Sequence, residues 1–485
     1  MRVCMLASEA FPYAKTGGLA DVLAALPEGL MALGVEVSVM IPGYRHALRT
    51  AGAVERLGRV RAPVASRLEP ANVVRVSGAR VPTLMLDAPR YFDRDGLYGS
   101  GGGDYGDNAE RFAFFCRAAL EWLRTLGAPP DILHCHDWHA ALAPAMLRAT
   151  AALYPELRRM RLVQTIHNLA YQGRFPASAW HLLNLDARYF TREALEFYGE
   201  INFLKAGLVF ADTLTTVSSR YAREIQTPEL GEGLDGVLRA RAGRLRGVLN
   251  GIDYRVWNPA IDVALPARYD VGDLDGKARC KSDLQQALGL RADIEAPLLA
   301  IVSRFAWQKG IDVALDALPA VFETSAAQVV VLGSGDPHLE YRAHLLVEGF
   351  PGRVAARTGM DESLAHRIVA GADLFLMPSR FEPCGLSQLQ SLRYGTVPVV
   401  HATGGLDDTV VQFDAATGDG TGIKFAPDTP AALGNAIRRA LEIRREPAAW
   451  MRLRENAMRQ DFSWDRSARA YRNAYGALLA APESG

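Results

Sequence analysis

Short apolar runs alternate with longer helical patterns along this chain, and the alternation begins again half-way. Residues 3–7 and 35–41 read as buried strands, with a helix over 19–33 between them. Residues 131–134, 162–166 and 213–217 continue the strand series. After residue 296 a second series starts, with strands at 298–302, 329–332, 374–377 and 397–400 and a helix near 310–323. Strands separated by helices are βαβ units, whose right-handed crossovers build a parallel sheet covered on both faces. A chain of 485 residues also exceeds what one hydrophobic core organises. The expectation is an α/β protein of two Rossmann-like domains, residues 1–246 and 247–460. A tail over 461–485 would hold a last helix at 463–479. A stretch rich in Pro, Gly and Asp at 258–277 reads as a linker or excursion.

Charge narrows the partners. Lys plus Arg and Asp plus Glu number 54 each, so no net field favours nucleic acid or an anionic membrane. No apolar run reaches the length of a membrane span, and the N-terminal one is too short for a secretory signal. Five cysteines (4, 116, 135, 280 and 384) are scattered and form no C-x-x-C pair, which fits a reduced, cytoplasmic protein.

Ligands of open parallel sheets bind beyond the carboxyl ends of the strands. After the first strand stand Lys15, then Gly17-Gly18 opening a helix, then Asp21 in its first turn. Glycine amides, the helix N-terminus and a lysine together suit an anion. A plain glycine turn beside a solvated lysine is the alternative. The segment Thr16 to Asp21 reappears as Thr403 to Asp408 with five of six positions alike, an echo that supports two related halves.

The second half carries Ser303-Arg304-Phe305 directly after its first strand, then Gln308-Lys309-Gly310 opening a helix. Two such cations suit a diphosphate leaving group without a metal. Farther on, Phe381-Glu382-Pro383-Cys384-Gly385-Leu386-Ser387 leads into a helix running through Leu392, whose free amides could hold a phosphate. Glu382 stands at its lip. Cys384 has no base beside it in sequence and reads as a packing residue or ligand contact.

Other patterns are discounted. G-x-G-x-x-G occurs at Gly101/Gly103/Gly106 and Gly231/Gly233/Gly236, but neither copy follows a strand, so a dinucleotide fingerprint is set aside. His134-Cys135-His136-Asp137-Trp138-His139 resembles a metal cluster but lacks a remote C-x-x-C or H-x-x-x-H partner. Here His134 and His136 read as alternating faces of a strand end, with Asp137 and His139 on the loop beyond it. The triplets Asp93/Asp95 and Asp273/Asp275 are no more than chance supplies, and no metal site is expected.

Taken together the motifs resemble those of bacterial glycogen and plant starch synthases, glycosyltransferase family 5. The resemblance rests on Lys15 to Val22, His136 to His139, Thr165 to Gly173, Val248 to Asp253, Ser303-Arg304, Gln308 to Gly310 and Ser379 to Leu386, in that order along the whole chain. It implies the GT-B architecture, two Rossmann domains facing across a deep cleft that opens and closes, with the last helix crossing back onto the first domain. It further implies transfer of glucose from the nucleotide sugar ADP-glucose to the end of an α-1,4-glucan, with no cofactor. Arg304 and Lys309 would hold the diphosphate, and Lys15, Gly17 and Gly18 would lie near the donor's phosphates and sugar. His167 would line the glucose pocket, and Glu382 would bind sugar hydroxyls beside the Cys384, Gly385 and Leu386 amides. Asp21, Asn168 and Asn250 would be further donor-side residues. Tyr98, Asp137, Trp138 and His139 would meet the acceptor. One departure stands out: Met360 occupies the place where related bacterial enzymes carry a tyrosine stacked on the donor's adenine.

An α-donor giving an α-product retains configuration, yet no pair of carboxylates plainly supplies a nucleophile and an acid. Front-face substitution needs neither, and leaves the protein to orient reactants and stabilise charge. Glu382 as a covalent nucleophile is the other mechanism open at this point. Rival functions are another GT-B enzyme, disaccharide-forming or an epimerase, and a non-catalytic glucan-binding protein. The complete set Lys15, His167, Arg304, Lys309 and Glu382 favours catalysis over the last.

Overall fold

In the computed structural model, which describes residues 1–482, the apolar runs of the first half become a nine-stranded sheet. Its strands are β1 (Arg2–Leu6), β2 (Glu36–Pro42), β3 (Val54–Val64), β4 (Arg67–Val76), β5 (Thr83–Asp87), β6 (Ile132–His136), β7 (Arg161–Ile166), β8 (Thr213–Thr216) and β9 (Leu245–Gly247). They lie in the order β9-β8-β7-β6-β1-β2-β5-β4-β3. All neighbours are parallel except β3 with β4 and β4 with β5, an antiparallel extension of one edge. Sequence patterning missed that extension, because β3 is exposed over much of its length and shows no continuous apolar run. Helix α1 (Gly18–Ala32) follows β1.

The second half forms an all-parallel sheet of six strands, β10 (Leu298–Val302), β11 (Gln328–Gly333), β12 (Val354–Thr358), β13 (Leu374–Met377), β14 (Val397–His401) and β15 (Ile423–Phe425). Its order is β12-β11-β10-β13-β14-β15. Alternate residues fill separate cores: Leu299, Ile301, Val329 and Val331 on one face, Leu298, Ala300, Val330 and Leu332 on the other. Burial on both faces is why these strands read as uninterrupted apolar runs. Helices α2 (Ile311–Thr324), α3 (Ser387–Arg393) and α4 (Gly404–Thr409) follow β10, β13 and β14.

Once the β3–β4 extension is set aside, both sheets run third-second-first-fourth-fifth-sixth, and the first adds a seventh strand, β9, at its edge. The order reverses between β1 and β6 in one unit and between β10 and β13 in the other. Loops leaving adjacent strands at such a reversal diverge and open a crevice, where ligands of this architecture bind. This shared order relates the two halves better than the repeated hexapeptide does. Its first copy follows the first strand of one sheet, and its second follows the fifth strand of the other.

The described residues divide into Met1–Asn250 together with those from Trp464 onward, and Gly251–Ser463. The first boundary falls after Asn250, because β9 pairs with β8 and Val248 donates to the Thr216 carbonyl at 2.8 Å. Residues 258–277 are an excursion fastened to the second unit. There Asp262 accepts from Tyr394 at 2.5 Å and pairs with His366 at 2.7 Å.

Helix α5 (Trp464–Ala480) belongs to the first unit. It buries Trp464, Ala468, Tyr471, Tyr475 and Leu478, the stripe expected of a helix on a core. Gly29 of α1 lets it approach closely, since a Cβ there would stand 2.9 Å from that of Ala468. Among the described residues no helix is long and apolar enough to cross a membrane. All five cysteines are buried.

Candidate active site

In the first unit the loop after β1 is tied to the segment after β5 through a residue the sequence reading passed over. Glu9 is buried. Its Oε2 accepts from the amides of Thr16 at 2.6 Å and Gly17 at 3.3 Å. Its Oε1 accepts from the Thr16 hydroxyl and from Tyr98, both at 2.6 Å. Tyr98 also shares a 2.7 Å hydrogen bond with Ser8. One carboxylate thus fixes the turn that carries Lys15, Gly17 and Gly18, the last being the first residue of α1. Lys15 Nζ lies 2.8 Å from Asp21, a partly exposed pair worth little in itself. A Cβ on Gly17 would meet nothing within 4 Å, so the turn presents open backbone.

Asp137, the first residue past β6, has φ of 54° and accepts from the His167 amide at 2.7 Å. Close packing pushes its carboxyl up to about 7, against the opposing pull of the His167 and Asn168 amides. Trp138 is the floor under Gly173, where a Cβ would stand 2.4 Å from the indole. The ring of His139 is stacked against Tyr98 at 4.5 Å and against Trp138 at 3.9 Å, and it is buried. It packs against both aromatic rings, and its Nδ1 has no partner among the described residues. Asn168 Oδ1 accepts from the Ala170 amide at 3.1 Å.

His167 is half-buried, and its surroundings hold the imidazole down to about 3, so the ring is neutral. Its Nε2 lies 3.0 Å from Nδ1 of His136. His134 and His136 do not alternate faces. Residues two apart on a strand share a face, and their ring centroids are 4.0 Å apart. His134 is instead a core residue bonded to Tyr475 of α5 at 2.7 Å and to Thr165 at 2.5 Å.

In the second unit the loops after β10 and β13 interlock. Gly310 has φ of 60°, and a Cβ on it would stand 2.0 Å from the Pro378 carbonyl oxygen. Arg380 grips the same turn: its amide donates to Gln308 O at 2.9 Å and its guanidinium binds Asp312 through two bonds. Held this way, Lys309 Nζ meets Glu382 Oε2 at 2.6 Å, and Ser379 donates to the same oxygen at 3.0 Å. Glu382 is buried. Exposed Arg304 sits between Ser303 and Phe305, which Gly333 and Gly335 let lie against the neighbouring loop.

Cys384 is buried, and Gly405 is there because a Cβ would stand 2.0 Å from the Cys384 carbonyl oxygen. The second glycine pair therefore serves close packing, unlike open Gly17. Gly385 has φ of 71°, and Leu386 precedes the first turn of α3, which ends at Arg393. Met360, on the loop after β12, is 84% exposed. Asn250 is buried, and its Oδ1 has no partner among the described residues. Asp93 and Asp95 both bind Arg45, and Asp273 caps the Asp275 amide. Among the described residues no group of three or more His, Cys, Asp or Glu is placed to hold a metal ion.

Two doubly wound sheets of this kind are the build of GT-B glycosyltransferases, and comparison with known proteins agrees. The chain matches the family of the starch synthase catalytic domain over residues 2–240 and glycosyl transferases group 1 over residues 289–460. Glycogen synthase of Anaeromyxobacter dehalogenans (strain 2CP-C) is 52% identical over 482 residues, covering 99% of this chain and 100% of the relative. That of Koribacter versatilis is 46% identical over 478 residues, 98% of each. The catalytic domain of starch synthase IV from Arabidopsis thaliana, solved with ADP and acarbose, superposes with a TM-score of 0.90 at 33% identity, covering 99% of both chains. Sucrose-phosphate synthase from Thermosynechococcus elongatus shares the fold, with a TM-score of 0.63 at 19% identity over 99% of this chain and 100% of that one. The chain is a GT-B glycosyltransferase. It belongs to the glycogen and starch synthase family.

Proposed function

We propose that the chain moves glucose from ADP-glucose to the non-reducing end of an α-1,4-glucan, with retention of configuration, in the cytoplasm. The observation that carries this reading is the interlocked edge of the second unit, where Arg304, Lys309 and buried Glu382 stand at the reversal of strand order. Two cations fixed there suit the charge that grows on a departing diphosphate. Lys309 is oriented by Glu382, while Arg304 adds a permanent charge and a forked donor. Glu382 also offers an acceptor to sugar hydroxyls, with Cys384, Gly385 and Leu386 leading the backbone past it.

In the first unit, Lys15 and the open Gly17-Gly18 turn suit the donor's phosphates and sugar, with Asp21, Asn168 and Asn250 as further donor-side groups. His167 lines the glucose pocket. Tyr98, Asp137 and Trp138 shape the acceptor side, with His139 behind them. Substitution runs on the front face: the acceptor hydroxyl attacks the anomeric carbon as the bond to phosphate breaks, and a phosphate oxygen takes the hydroxyl proton. No separate carboxylate base is then needed. The test is purified protein with glycogen primer and either ADP-glucose or UDP-glucose, followed by linkage analysis. Chain extension through α-1,4 bonds is expected; a disaccharide, or no transfer from either donor, overturns the reading.

A further inference from the structure

His136 belongs to none of the roles assigned above, yet it is the hydrogen-bond partner of His167. Its ring is buried, with no exposed surface, and lies between His134 and His167 at centroid distances of 4.0 and 5.3 Å. Only one of its nitrogens is partnered: Nδ1 faces His167 Nε2 at 3.0 Å, and Nε2 is buried without a partner among the described residues.

Burial holds both rings in the neutral form, His167 at about 3 and His136 well below the usual histidine range. A neutral imidazole has one N–H and one lone pair, so the contact has two arrangements. In the first, His167 Nε2–H donates to His136 Nδ1, and the His136 proton sits on Nε2 as a buried N–H with nothing to receive it. In the second, His136 Nδ1–H donates to His167 Nε2, and the orphan is only the lone pair on His136 Nε2. A buried orphan donor is the rarer and costlier defect, so the second arrangement is favoured.

We infer that His136 is a positioning residue that fixes the tautomer of His167, leaving Nδ1–H of His167 as a hydrogen-bond donor toward a sugar hydroxyl oxygen. The inference rests on the reading that His167 lines the glucose pocket. With Nε2 committed to His136, Nδ1 is the ring nitrogen left for a ligand, and the direction of the bond decides whether it gives or takes a proton. Asp137 complements this by holding the His167 backbone amide, so ring and main chain are fixed from adjacent positions on one strand end.

The test is two-bond ¹H–¹⁵N correlation on the full-length protein labelled at histidine, with His167→Gln identifying the His167 signals among the ten histidines. The expected result is a protonated Nδ1 and a bare Nε2 on His167 at neutral pH. A protonated Nε2 there overturns the proposal, and this result needs no folded variant of His136. Kinetics then read the consequence. His136→Leu should lower kcat by about tenfold or more. His136→Asn, whose amide can still donate from a similar position, should recover most of that loss and keep the His167 tautomer. Equal losses in Leu and Asn variants of matched Tm would mean that His136 only fills space, and would overturn the positioning role. If the tautomer is as inferred but His167→Gln keeps wild-type kcat, the tautomer stands and the placement of His167 in the glucose pocket is what fails.

Discussion

Lys309 Nζ lies 2.6 Å from Glu382 Oε2, in a pair whose side chains are 18% and 7% exposed. The ammonium and the Ser379 hydroxyl both face the same oxygen of this enclosed carboxylate. Removing Lys309 should therefore damage both stability and activity. Stranding one member of a buried pair costs about 3–5 kcal/mol, and losing a donor aimed at developing charge costs ~10²–10³ in kcat. Lys309→Ala should lower Tm and kcat together. Adding Glu382→Gln should restore Tm but not kcat. Calorimetry and steady-state rates on the single and double variants decide it; a double variant no more stable than Lys309→Ala shows that the pair is not what holds Glu382.

Arg304 offers a cleaner contrast, because its side chain is exposed and its loop is held by its neighbours. Arg304→Ala should leave Tm within about 1 °C of wild type, since surface changes usually stay within about 0.5 kcal/mol. Its kcat should still fall by ~10²–10³. Retention of more than about half of kcat would remove Arg304 from the leaving-group site.

Gly310 tests whether loop interlocking matters to that site. An alanine would adopt φ of 60° only under strain and would drive its Cβ to 2.0 Å from the Pro378 carbonyl oxygen. The turn must shift, taking Lys309 with it. Gly310→Ala should cost about 1–3 kcal/mol and lower kcat more than KM rises. Normal kcat with lowered Tm would show that the backbone can yield without moving Lys309.

The first unit should show two opposing pH dependences. His134 and His167 are held to about 3 from an ordinary 6.5, so they favour the fold above 6.5 and lose that contribution as pH falls toward 3. Asp137 is raised from 3.8 to about 7, so it favours the fold below 3.8 and loses that contribution as pH rises through 7. Asp137→Asn removes only the second dependence. Its Tm relative to wild type should climb between pH 4 and pH 7; a difference that stays flat across that window means the carboxyl is ionised throughout.

These sites were legible to different degrees for physical reasons. Lys15, Arg304 and Lys309 were legible as candidates because cations just beyond a first strand fall where a doubly wound sheet opens. Strands buried on both faces announced themselves as apolar runs. Glu9 could not be found: nothing local marks a carboxylate that reaches residues 16, 17 and 98, and only the fold brings those together. His136 was hidden by a misreading of strand period, since the rule that residues two apart share a face was enough to pair it with His134. The β3–β4 edge escaped because half-exposed strands carry mixed polarity.

Met360 carries the last prediction, about which base the donor bears. It stands between Gly359, with φ of 112°, and Asp361, whose side chain accepts from the Leu364 amide at the start of the following helix. The loop leaves the third strand of the second unit, and Met360 is 84% exposed, so the side chain is available to a ligand. The resemblance implies that related bacterial enzymes carry at this position a tyrosine stacked on adenine. An aromatic stack on a base is worth roughly 1–3 kcal/mol by alanine substitution. Methionine is flexible and polarizable, and lies against a purine or a pyrimidine with less geometric demand. ADP-glucose should accordingly remain the better donor, with a smaller margin over UDP-glucose than a tyrosine gives. Met360→Tyr should widen the kcat/KM ratio of ADP-glucose to UDP-glucose by about fivefold or more, corresponding to at least ~1 kcal/mol of added stacking. Both donors should be measured in wild type and variant with the same primer. If the ratio does not move toward ADP-glucose, another side chain covers the base and Met360 does not set the choice.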